Sequence, residues 1–144
     1  MTDSSSDWAL QVDRLSEQGS SLSEVGKHDA AIKAWSEALE LVPEPHSDWE
    51  EAVWLNASIA DSYYQIGQYE KAKNHLFDAL NGPEAQGQPF IPYLLGKALW
   101  HLQDERYTEY FLRAYMLDGE DIFRADDDDV ALRALNALKD KGLV

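Results

Sequence analysis

The sequence has no cysteine, and only 12 Lys and Arg stand against 27 Asp and Glu. The first absence excludes disulfides, thiol nucleophiles and thiolate metal sites. The second leaves a net charge of −15. Such a surface repels nucleic acid, whose binding needs Lys and Arg to displace counterions, and it repels anionic membrane. It attracts cationic partners and speeds their arrival; the same acidity also favours solubility. No apolar run approaches the roughly 20 residues that span a bilayer. "MTDSSSDWALQ" lacks the basic-then-apolar order of a secretory signal, so a cytoplasmic protein is the expectation. A chain of 144 residues is most simply one domain.

What is present is helical periodicity. After a short tail over residues 1–6, apolar residues recur at helical spacing. Leu10, Leu15, Leu22 and Val25 form one stripe, and Ala31, Ile32, Trp35, Ala38, Leu39 and Val42 another. "SDWE" (Ser47 to Glu50) reads as a capping box. It opens a helix with Val53, Trp54, Ala57, Ile59, Ala60, Tyr63 and Tyr64 that stops at Gly67. Further helices carry Ala72, Leu76, Ala79 and Leu80, then Tyr93 to Leu102, then Tyr107 to Tyr115, and a last one runs from about Asp127 to Lys141. "NGPEAQGQP" (Asn81 to Pro89) is the clearest loop, since Gly and Pro break both periods. No segment alternates as a strand does, so the class is all-α.

The helices come in pairs that resemble one another. "EVGKHDAAIKAWSEALELVP" and "QIGQYEKAKNHLFDALNGP" align with a turn glycine (Gly26, Gly67), a small residue five later (Ala31, Ala72), a large plug (Trp35, Leu76) and an alanine near the end (Ala38, Ala79). A third unit enters through "YLLGKALWHL", where Gly96 matches Gly19 and Ala60. It then departs: Gln103 stands at the turn glycine, and "QDERYTEYFLRAY" is one residue short, which points to a second helix rotated or packed differently. Gly26 and Gly67 are 41 residues apart, so about seven extra residues sit around "PEPHSDW". The pattern resembles the tetratricopeptide repeat, a helix–turn–helix unit of about 34 residues. The implied fold is a right-handed α-solenoid of about three helix pairs (12–45, 53–86, 89–118) plus a C-terminal cap (119–144), within one domain spanning 7–144. More narrowly, "LVPEPHSDWEEAVWLNASIADSYYQIGQYEKA", "GQPFIPYLLGKALW" and "RAYMLDGEDIF" are similar to a group of small bacterial tetratricopeptide proteins, suspected as immunity (antitoxin) partners of secreted toxins.

The repeat implies a concave face lined by the first helix of each pair. With the turn glycine at repeat position 15, its inward positions hold Asp13, Ser16, Ser20, Ser23 and Glu24, then Trp54, Ala57, Asp61, Tyr64 and Gln65, then Phe90, Tyr93, Lys97, Trp100 and His101. The candidate partner-binding groove is Asp13, Ser20, Glu24, Trp54, Asp61, Tyr64, Phe90, Tyr93, Lys97, Trp100 and His101. It is acidic and small at one end and aromatic at the other. Exposed Trp and Tyr suit anchors; the alternative is that the C-terminal helix folds onto them and Trp54 and Trp100 are core. Trp35 belongs to the repeat pattern and to the core. Co-chaperones of this family that grip a C-terminal carboxylate use Lys, Arg and Asn there. Here Ser58 stands at the Asn position and Lys97 is the sole inward cation, which suits a basic partner better than an acidic peptide.

Catalytic signatures are missing. His101 with Asp104, and His28 with Asp29, could each place two metal ligands on one surface, but surface histidine is the simpler reading. There is no phosphate loop, and "DDDD" fits no calcium loop, since Ala131 and Ala137 fall where Gly and Glu are required. No enzyme, cofactor or metal is expected. One aspartate of Asp126 to Asp129 should be an N-cap and the next should favour the helix dipole. The surplus, with Asp118, Glu120 and Asp121 before it, repels itself and needs another reason. Asp118, Glu120, Asp121, Asp127, Asp128 and Asp129 form a candidate acidic rim for a basic toxin domain. The functional expectation is therefore an immunity protein that occludes a cognate toxin, or else an adaptor or chaperone-like scaffold for an extended peptide.

Overall fold

A computed structural model describes residues 4–144, with side chains from Asp7 onward. Helix α1 spans Ser4–Glu24, α2 His28–Leu41, α3 Glu50–Gln65, α4 Tyr69–Leu80, α5 Phe90–His101, α6 Tyr107–Asp118, α7 Asp121–Arg124 and α8 Asp129–Asp140. Short 3-10 turns lie at His46–Asp48 and Ala85–Gly87, and there is no strand among the described residues. The class is all-α, as the periodicity requires. Of the expected tail, residues 1–3 lie outside the described residues, and Ser4 already belongs to α1. Packing divides the chain into two compact units, one ending at Ala85 and one running from Gln86 to Val144. The division falls in the Gly/Pro-rich loop.

Each helix pair closes with the same turn. Gly26, Gly67 and Gln103 all have positive φ (78°, 79° and 58°). In each case the next residue's N–H reaches the carbonyl five residues back: Lys27 to Leu22, Gln68 to Tyr63 and Asp104 to Leu99. This 6→1 bond is the Schellman closure, which satisfies carbonyls the helix end leaves open. Gln103 thus holds the glycine conformation without being glycine, at a cost of about 1 kcal/mol. The missing residue of the third unit is absorbed after the turn, so α6 starts four residues beyond Gln103, while α2 and α4 start two beyond their glycines.

In the first unit α2 lies between α1 and α3, and α3 pairs with α4. The core joins Val12, Ala31, Ile32, Trp35, Ala38, Val42, Ala52, Leu55 and Ile59. Trp35 sits against Gly19, where a Cβ would overlap the indole, and its Nε1 donates to the Ser16 carbonyl at 3.1 Å. The capping box expected at Ser47 is not formed. α3 starts at Glu50 with Trp49 at its N-cap and no side-chain cap, while Ser47 lies in the 3-10 turn. Trp49 packs edge-on against Trp8 at 5.0 Å, and burial of that pair sets how the chain enters the helix.

In the second unit α5 pairs with α6, and α7 and α8 pack beside them. Its core is Tyr93, Phe111, Ala114, Phe123, Val130, Ala131, Ala134, Leu135 and Leu138. Phe111 plugs the gap at Gly96, where a Cβ would stand 2.6 Å from its ring.

Candidate functional site

α5 is buried on every side from Ile91 to Leu99, including Lys97, which is 6% exposed. An ammonium there is tolerable only with counter-charges and hydrogen bonds. The aspartate run supplies them. Lys97 Nζ lies 2.7 Å from Asp126 Oδ2 and 3.2 Å from Asp128 Oδ2. Tyr93 OH donates to the same Asp126 oxygen at 2.5 Å, and Lys97 Nζ also lies 5.2 Å from the Tyr93 ring centre. Asp126 Oδ1 accepts the Asp128 N–H at 3.0 Å, and Asp128 Oδ1 caps α8 by accepting the Val130 N–H at 3.0 Å. Burial opposes ionisation of Asp126, yet the bonds from Lys97, Tyr93 and the Asp128 N–H outweigh it and hold its pKa below the usual carboxylate value. Residues 126–128 are non-helical and Asp128 is extended, so alternate side chains diverge: Asp126 and Asp128 turn inward, Asp127 and Asp129 outward.

This arrangement changes the expected groove. Tyr93 and Lys97 are buried and bound by Asp126 of the C-terminal segment. Phe90 is exposed. Trp100 is half-buried, with its ring edge-to-face on Tyr107 at 4.9 Å, and His101 is exposed. Trp100, His101, Gln103 and Tyr107 line an open recess of about 470 Å³. Desolvation lowers the His101 pKa, with Asp128 opposing that shift and Lys97 adding to it.

On the first unit, Asp13, Ser20 and Glu24 are exposed along α1. On α3, Trp54 is 41% exposed, Asp61 two turns later is half-buried, and Tyr64 is buried, edge-on to Tyr69 at 5.3 Å. Tyr64 therefore packs within the α3–α4 pair. α3 contains no Lys or Arg. The acidic rim is also partly engaged. Glu120 is bound by Lys139 at 2.9 Å and Arg124 at 2.7 Å, and these bonds lower its pKa. Asp129 pairs with Arg133 at 2.9 Å. Asp118, Asp121 and Asp127 are exposed and carry no ion pair among the described residues.

No family model matches the sequence, and no curated protein matches it either. Solved structures do. The first tetratricopeptide domain of Spaghetti (RPAP3), described as bound to the HSP90 peptide SRMEEVD, superposes with a TM-score of 0.69 at 17% identity, covering 94% of this chain and 95% of that one. The second such domain, with the same peptide, gives 0.64 at 18% identity over 75% and 93%. MamA gives 0.71 at 16% identity over 92% and 69%. The fold is the tetratricopeptide-repeat fold. At these identities the likeness is one of fold.

Within that fold, the residue sequence reasoning passed over is Asp126, the aspartate in contact with both Lys97 and Tyr93. The signal was available: one lysine inside an otherwise apolar helix needs a buried counter-ion, and a run of aspartates before a helix can supply two at alternate positions. Phe123, fully buried in α7, was equally hidden by its acidic neighbours. The described residues contain no cluster of three or more acids, histidines or cysteines able to hold a metal. None of their helices is long and apolar enough to cross a membrane.

Proposed function

We propose that this chain is a protein-binding module for a basic partner, acting over 7–144 as one domain, and that it serves as an immunity protein that neutralises a toxin domain by occlusion. The observation that carries this reading is the fate of the cations. Lys97, the one cation at the inward positions, is held by Asp126 and Asp128. α3 offers Trp54 and Asp61 with no Lys or Arg, and Asp13 and Glu24 stand exposed on α1. Exposed carboxylates steer a basic surface in, and a Trp anchor slows its departure. The resemblance of "LVPEPHSDWEEA" and "RAYMLDGEDIF" to small bacterial immunity-type tetratricopeptide proteins supports the toxin as the partner class.

A second reading, an adaptor for an extended peptide, draws on the two Spaghetti domains described with the peptide SRMEEVD. That peptide ends in Glu-Glu-Val-Asp, which needs cations; here the peptide would have to be basic. Co-expression with the product of the adjacent gene separates the two. A toxin-domain neighbour that copurifies, and against which the protein protects, supports immunity. A secretion or chaperone component that copurifies instead supports the adaptor. No complex and no protection would remove the immunity reading.

A further inference from the structure

The sequence holds four asparagines, and one of them, Asn81, stands directly before a glycine. Asn56, Asn74 and Asn136 lie inside α3, α4 and α8, where the N–H that follows each is held in the i→i−4 ladder. Asn81 is placed differently. It is exposed and forms the C-cap of α4, with φ −80° and ψ −9°. Its N–H donates to the Asp78 carbonyl at 3.2 Å, and the Gly82 N–H donates to the Ala79 carbonyl at 3.1 Å. These i→i−3 bonds end the helix, and Pro83, which has no N–H, cannot extend them.

Packing dictates the glycine. A Cβ at Gly82 would overlap the side chain of Val53, which is 2% exposed. A larger residue there would push the end of α4 off α3. The same missing side chain leaves the Gly82 nitrogen without the steric cover that other residues give their own amide. The close fit of α4 on α3 thus places beside Asn81 the neighbour least able to block attack on its side-chain amide.

We infer that Asn81 is a site of self-modification, at which the folded chain converts its own asparagine to aspartate and isoaspartate without an enzyme. The Gly82 N–H gives up its proton to solvent base, and the nitrogen bonds Asn81 Cγ. The Cγ–Nδ2 bond breaks, and Nδ2 takes a proton from water and leaves as ammonia. Water then opens the cyclic imide at either carbonyl, which yields aspartate or isoaspartate. Ring closure needs the Asn81 ψ turned well away from −9°, so the Gly82 N–H must first leave the Ala79 carbonyl. That opening breaks the closing bonds of α4 and leaves its interior ladder whole, which is the low-cost end of local unfolding. Both products add a carboxylate at the C-terminus of α4, where the helix dipole disfavours it. Isoaspartate also adds a main-chain carbon, which shifts Gly82 from its seat on Val53. The inference does not depend on which partner the chain binds.

The test is peptide mapping by tandem mass spectrometry of the whole folded chain after incubation in mildly alkaline buffer, beside the same chain in urea. Asn74 and Asn81 share the tryptic fragment 74–97, so Asn74 is an internal reference. Asn81 is expected to show the mass gain of amide-to-acid conversion about tenfold or more faster than Asn74, and faster again in urea. An isoaspartyl carboxyl methyltransferase with labelled S-adenosylmethionine should methylate that fragment of the aged parent. It should not methylate aged Asn81→Gln, whose longer side chain closes the ring slowly. Locating the label by fragment separates it from Asp118–Gly119, the chain's aspartyl-glycine pair, whose isomerisation leaves the mass unchanged. Retention of Asn81 in the folded chain while the urea sample converts would overturn the inference. Equal conversion of Asn74, or equal methylation of the fragment in Asn81→Gln, would overturn it as well.

Discussion

Removing opposite halves of the Lys97 network should have unequal costs. The Lys97 side chain is 8% exposed, whereas those of Asp126 and Asp128 are 23% and 26% exposed. In the double variant Asp126→Asn, Asp128→Asn, the ammonium stays buried and loses both of these carboxylates. Asn still caps α8 about as well as Asp, so the loss isolates the charge. An uncompensated buried charge costs about 3–5 kcal/mol. In Lys97→Met, two carboxylates are left instead. Asp126 keeps Tyr93 OH and the Asp128 N–H, Asp128 keeps the Val130 N–H, and both retain about a quarter of their surface in water. That loss should be about 1–2 kcal/mol. The triple variant, with all three charges removed, should recover most of the loss, because an apolar replacement of a buried pair is often near neutral. Urea titration followed by circular dichroism and tryptophan fluorescence reads all three. A Lys97→Met loss equal to or above that of the double aspartate variant would refute the reasoning.

The same network fixes an acid dependence. In the folded protein the Asp126 pKa is held below its ordinary value of 3.8, so the unfolded chain takes up the proton first and stability falls as pH drops below that value; the fall should shrink in Lys97→Met. His75 has a folded pKa below 6.5, so it too costs stability as pH falls below about 6.5, and thermal midpoints at pH 7 and 5.5 should converge in His75→Gln. Gln103→Gly should raise stability by about 0.5–1 kcal/mol by relieving the left-handed backbone. Gly96→Ala should lower it by about 1–3 kcal/mol through overpacking on Phe111. Both are read from urea midpoints.

Much of the fold was legible because the repeat writes its contacts locally. Gly26 and Gly67 sit where φ must be positive, and Trp35 sits opposite Gly19, where the close approach is needed. Gln103 was the exception that backbone register, not side-chain identity, decides. The Ser47 cap failed because a local motif lost to tertiary burial of Trp49 on Trp8. The groove was legible only in part. Inward positions can be counted from the turn glycine; of those counted on α3, Trp54 is exposed and Asp61 half-buried. Tyr93 and Lys97 do not remain open, because the covering segment is 29 or more residues further along, and no periodicity within α5 announces it. The acidic run was visible as an excess; that half of it neutralises a buried lysine is a long-range fact.

The most direct test of the central claim, that the Trp54 and Asp61 face of α3 receives a basic protein, is copurification of the chain and its Trp54→Ala, Asp61→Lys variant with the adjacent gene product. The account predicts a complex with the parent chain and at least a tenfold weaker one with the variant, at unchanged helical circular dichroism. Equal complex formation by both would contradict it.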